Sequence, residues 1–194
     1  KKAVLEAHLK EVGRLLQMAL DLRDSDSDSK AVAQARYLQS FVMLKLGRPL
    51  DSVILARHCM IQDRAADPDS ASKATEIAMG AAVSAWNMAP GSDRDFETRL
   101  LKSVCQEILD LYPQSSRGSE ARIRLAIVYR TMNEPLEAAR WYLDVPETDP
   151  QYASARISAG QSYWAAWTQR AATAAAEDPE TANTQSADLQ SWKT

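Results

Sequence analysis

Histidine and cysteine are nearly missing from this sequence, with two of each in 194 residues. Acid–base, nucleophilic and metal chemistry draw on these side chains, so such sites have little to work with here. No glycine-rich phosphate loop and no nucleophile elbow occur. Glycine is scarce at six residues, and phenylalanine occurs twice. No run of about 18 apolar residues is present, so no membrane-spanning helix is expected. A basic stripe is missing too. The net charge is −3 and the pI about 5.5, which argues against a partner whose phosphates must be neutralised. The chain is therefore expected to be no enzyme and to need no cofactor, metal or nucleic acid. Catalysis could still reside in a separate domain that this chain assists.

What is present is helix-forming. Hydrophobic residues make up 45% of the chain, enough for a packed core. Ala, Leu, Arg, Glu and Gln dominate its middle, and these lose little rotamer freedom in a helix. Leu5, Leu9, Val12, Leu16 and Leu20 recur at helical spacing within a first helix over 2–24. The acidic and serine-rich run 24–29 breaks it, and Asp28 or Ser29 can cap the next helix. Further helices are expected over 30–46, 49–66, 71–88, 93–112, 119–132, 135–145 and 150–174. Gly47 suits a helix C-terminus and Pro49 a helix first turn. Residues 175–185 read as a polar loop, and a ninth helix is expected to begin near Asp188. The chain begins Lys1-Lys2-Ala3 without Met and ends at Trp192-Lys193-Thr194 inside that expected helix. It reads as a piece of something longer, so missing targeting signals carry no weight.

Helices joined by short loops form antiparallel hairpins. A repeat decides between bundle and stacked array. Arg122 and Arg156, Ala126 and Gly160, and Tyr129 and Tyr163 are each 34 residues apart. The order Leu125-Ala126, Tyr129, Asn133, Ala138, Tyr142, Pro150 resembles the tetratricopeptide repeat (TPR), whose period is about 34 residues. The stretch 41–50 parallels 127–136, with Gly47 opposite Asn133 and Pro49 opposite Pro135. The resemblance is clearest over 30–66 and 119–165. It implies an all-α fold, an α-solenoid of antiparallel helical hairpins occupying 1–174. The sequence departs from the pattern where Arg122 and Arg156 stand in place of the usual early Trp. Pro-x-Ser hinges at Pro68 and Pro113, together with long helices, resemble divergent bacterial TPR proteins of envelope assembly.

The same resemblance implies a function: a concave surface that binds a peptide or protein segment. Its groove positions fall on Ile127, Arg130, Gln161 and Trp164, and exposed Trp and Arg are typical interface anchors. Ile123 and Ile127 stand where some TPR domains place a carboxylate-clamping Lys and Asn set, which disfavours recognition of a chaperone tail. Tyr142 and Tyr163 are expected in the core. Trp164 and Trp167 fit equally a groove or packing against a further helix. Asp24, Asp26 and Asp28 match the first ligands of a calcium loop, but Ser29 stands where Gly is required and Ala35 where the bidentate Glu belongs. They read as helix caps. His58 has no converging ligands, and Cys59 and Cys105 read as small buried side chains. Two other roles stay open: a structural spacer or oligomerisation module, and an accessory domain of a larger enzyme or envelope assembly complex.

Overall fold

Proline and aspartate fix where the helices begin. The computed structural model describes residues 2–91 and 93–177. Among them are eight helices: α1 (Lys2–Asp21), α2 (Ser29–Lys45), α3 (Pro49–Ile61), α4 (Pro68–Met88), α5 (Asp95–Leu111), α6 (Ser116–Thr131), α7 (Pro135–Leu143) and α8 (Tyr152–Glu177). No strand occurs among the described residues, and the all-helical expectation holds. The Asp28 carboxylate accepts the Lys30 amide and starts α2. Asp67 accepts the Ser70 amide and hydroxyl, so α4 opens at Pro68, three residues before the expected Ala71. Ser115 accepts the Gly118 amide at 3.0 Å and opens α6 at Ser116, three residues before the expected Ser119.

Helix ends also differ from expectation: α1 stops at Asp21, three residues before the expected Asp24. α3 stops at Ile61, because the Asp63 carbonyl turns back to accept the Ala66 and Asp67 amides. The Asp63 carboxylate is held by the buried Arg36 guanidinium. α8 continues to Glu177, into the stretch expected as a loop. The run Ala174-Ala175-Ala176 supplies the strongest helix former of all, which outweighs the polar sequence beyond it. The rest of that loop, and the helix expected from Asp188, lie outside the described residues.

The parallel between the 41–50 and 127–136 stretches is reproduced in backbone geometry. Gly47 takes φ 73° and Asn133 φ 62°. Behind Gly47, the Arg48 amide donates to the Met43 carbonyl and the Gly47 amide to that of Leu44. Behind Asn133, the Glu134 amide donates to Tyr129 and the Asn133 amide to Arg130. Both are left-handed Schellman closures, which satisfy otherwise orphaned carbonyls of the last turn. Each is followed by one extended residue, Arg48 (φ −108°, ψ 68°) or Glu134 (φ −111°, ψ 65°), and then by a proline in the first turn. One turn recipe thus builds the α2–α3 and α6–α7 hairpins.

The chain divides into two compact units, Lys1–Ala121 and Arg122–Thr194. In the first, sequence neighbours α1 to α5 pack in order, and α2 also touches α4. The contacts run through small side chains: Ala33, Ala56, Ala71, Ala74, Ala78, Ala81 and Ala82 are fully buried. Met60, Met79 and Ile108 fill the remaining volume. The Ser52 hydroxyl donates 2.7 Å to the Ser40 carbonyl, pinning α3 to α2, and Arg57 is paired with Glu107 across to α5. In the second unit, Ala126 of α6, Tyr142 of α7, Val145, and Ala155 and Ala159 of α8 form a core, with Ile123 and Trp141 against it. Arg122 donates to Asp144 at 2.6 Å, and the Gln169 amide of α8 donates 2.6 Å to the Asn133 side chain.

Glycine substitutions separate these constraints. Gly47→Ala places a Cβ in the left-handed region and lowers stability by about 1–2 kcal/mol. At Gly118 a Cβ meets the Pro113 carbonyl oxygen at 2.7 Å, so Gly118→Ala costs about 1–3 kcal/mol. Gly80→Ala lies inside α4 with open space around its Cβ, and raises stability by about 0.5–1 kcal/mol. Urea denaturation of the three variants reads all three signs.

Candidate protein-binding face

All four residues assigned to a groove lie in the second unit, Ile127 and Arg130 on α6, Gln161 and Trp164 on α8. Ile127 is half-buried, Arg130 and Gln161 are exposed, and Trp164 is 65% exposed. A cleft of about 260 Å³ in the same unit is lined by Glu134, Pro135, Leu136, Ala166, Gln169 and Arg170, with Glu137 at its edge. None of the four assigned residues lines it.

α8 sets the character of this unit's surface. Ala155, Ala159, Ser162 and Ala166, at spacings of four and three, form its buried face. On the opposite side Ile157 is 65%, Trp164 65% and Trp167 51% exposed. The indoles of Trp164 and Trp167 stack, with ring centroids 5.0 Å apart and planes inclined by 29°. Arg156 lies over the Tyr152 ring at 4.6 Å.

One expectation is corrected here. Tyr163 is 46% exposed rather than in the core, and Gly160 is exposed beside it. Their counterparts one period earlier behave otherwise: Ala126 is fully buried and Tyr129 half-buried. Ala126 packs in the core that Tyr142 of α7, the second helix of its hairpin, helps to form. Gly160 and Tyr163 lie off the buried stripe of α8 through Ala155, Ala159, Ser162 and Ala166. Tyr142 is buried as expected. Ile157 was missed altogether, although it stands seven residues before Trp164 and so shares its face.

The other titratable groups are occupied structurally. The Asp24 carboxylate accepts the Ser27 hydroxyl at 2.9 Å and the Asp26 amide at 3.1 Å, and these bonds lower its pKa. Asp28 is spent on the α2 cap. Among the described residues no group of three or more His, Cys, Asp or Glu converges as metal ligands. Burial raises the Cys59 thiol to about 12, and Asp63 adds to the effect. The thiol points at the Ala33 carbonyl 3.8 Å away. Burial also lowers the His58 pKa, with help from Arg36, while Asp63 at 3.9 Å pulls the other way. Comparison with family models, curated proteins and solved structures finds no match to the chain.

Two outcomes follow. Cys59 and Cys105 are both fully buried, so thiol reagents modify neither in the folded chain and both after denaturation, read by mass spectrometry. The folded state disfavours protonated His58, so its contribution is intact above about pH 6.5 and lost as pH falls through its lowered folded value. His58→Asn therefore flattens the fall of stability as pH drops below about 6.5 in urea titrations.

Proposed function

We propose that this chain is a non-catalytic interaction scaffold, an α-solenoid of TPR-like hairpins that holds a peptide or protein segment. The architecture is supported by the 34-residue spacings, by the shared turn geometry at Gly47 and Asn133, and by the contact of α2 with α4 across the intervening helix. In a stacked array no hairpin buries its apolar face alone, so neighbours share a continuous core. The step from repeat to binding is an analogy with the family, and one observation carries it: Trp164 is 65% exposed and stacked on Trp167. Large exposed aromatics are costly to leave in water and are enriched as interface anchors. In this reading Ile127, Arg130, Gln161 and Trp164 form the binding face, with Ile157 and Trp167 extending it along α8.

A second reading, a spacer or oligomerisation module, is favoured by α1. That helix exposes Val4, Leu5, Val12, Leu15 and Met18. Sedimentation of the chain separates the two, since an oligomerisation module associates with itself and a monomeric scaffold does not.

The direct test is capture from a lysate of the source cell, comparing the chain with a Trp164→Ala, Arg130→Ala double variant. Both residues are exposed, so the variant keeps the parent circular dichroism spectrum. The expected result is a specific partner whose recovery falls at least about tenfold in the variant, the loss of one hot-spot interaction of roughly 1.4 kcal/mol or more. Equal recovery places binding on another surface.

A further inference from the structure

The outward side of α8 has a regularity of its own. Ala153, Ile157, Gly160, Trp164, Trp167 and Ala171 follow one another at steps of four, three, four, three and four. This is the heptad seam of a helix that lies along another helix at a shallow angle. It stands opposite the buried stripe through Ala155, Ala159, Ser162 and Ala166, so α8 has two apolar faces, of which the described residues cover one. Gly160 leaves a notch between Ile157 and Trp164, where an added Cβ has no neighbour within 4 Å.

The flanks of the seam identify what fits it. Arg156, Tyr163 and Arg170 border one side; Ser154, Gln161 and Thr168 border the other. Between Tyr152 and Ala176 the helix has no Asp or Glu, so both charges beside the seam are positive. The carboxylates near these arginines come from outside α8: Glu147 accepts the Tyr152 hydroxyl at 3.3 Å, on whose ring Arg156 lies, and Glu134 and Glu137 line the cleft with Arg170, Glu137 being paired with Arg140 at 2.5 Å. A second copy fits poorly. Antiparallel, it sets Arg156 against the other copy's Arg170; parallel, it stacks Trp164 and Trp167 on their equivalents and leaves the Gly160 layer empty.

Resting on the scaffold reading, we propose that the exposed seam of α8 binds an amphipathic helix of a partner protein that places a bulky apolar residue over Gly160 and acidic residues beside Arg156 and Arg170. Flanking charge of opposite sign selects the partner and its orientation, while the apolar seam supplies most of the affinity.

The test uses two fluorescein-labelled synthetic helices of about three heptads. Both carry leucine on the seam; one has glutamate and the other lysine at the flanking positions. Fluorescence anisotropy with the whole chain is expected to show the glutamate helix binding at least about tenfold more tightly, with the preference shrinking as salt is raised. Trp164→Ala abolishes the binding. Arg156→Glu with Arg170→Glu reverses the preference, and because both side chains lie on the surface of α8 the fold is retained. Equal affinity for the two helices, or no binding of either, overturns the proposal. It is also overturned if the chain dimerises and Trp164→Ala prevents this, which assigns the seam to a second copy. Binding seen only after deletion of residues 178–194 assigns it to the chain's own sequence. A lysate partner lost in the Trp164→Ala, Arg130→Ala variant but retained after charge reversal leaves the scaffold reading standing and removes only the acidic helix.

Discussion

Close approach between helices is the constraint on which the rest of this structure depends. Neighbouring backbones meet through alanine: Ala33, Ala56, Ala74, Ala78 and Ala82 in one unit, Ala126, Ala138, Ala155 and Ala159 in the other, each at or near zero exposure. An alanine contact surrenders little side-chain entropy and admits little variation in distance. Each contributes a small apolar area, so cohesion is spread over many positions, with Met60, Met79 and Ile108 filling gaps. Filling the interior with small residues also displaces large ones. On α8 the bulky side chains Ile157, Trp164 and Trp167 lie on the outer face, and Ala155, Ala159 and Ala166 on the inner one.

The turns follow from the same constraint. A hairpin whose helices lie close permits few connecting paths. The left-handed residue at Gly47 or Asn133 and the proline two positions later provide one of them, twice. Asn133 does more than Gly47, because its side chain also accepts the Gln169 amide and so ties α8 to the turn. A glycine at that position would keep the turn and lose the tie.

The starts of α2, α3 and α7 were legible in the sequence because the residues that create them act locally. Asp28, Pro49 and Pro135 work through hydrogen bonds or ring geometry within a few residues. The ends of α3 and α8 were less so. The first depends on a backward turn around Asp63, and the second on an alanine run whose helix propensity overrides the polar composition around it. The exposure of Tyr163 was hidden for a different reason. The 34-residue spacing aligns Tyr163 with Tyr129 but does not supply the neighbours that half-bury Tyr129. Ile157 and Trp167 show the complementary limit: apolar residues at helical spacing reveal that a face exists, and the spacing of Ile157 from Trp164 was sufficient to include it.

The stacked indoles of Trp164 and Trp167 are, in optical terms, a pair of coupled chromophores 5.0 Å apart at the surface. Trp86 is placed differently. Its Nε1 donates 3.1 Å to the Thr98 hydroxyl and its ring lies 4.6 Å beneath the Arg94 guanidinium, within the first unit. Of these three, Trp86 is held by fixed partners and the pair faces solvent. Anything laid over the outer face of α8 changes the colour and intensity of the pair, while Trp86, and Trp141 against the core of the second unit, contribute a background set by their fixed surroundings.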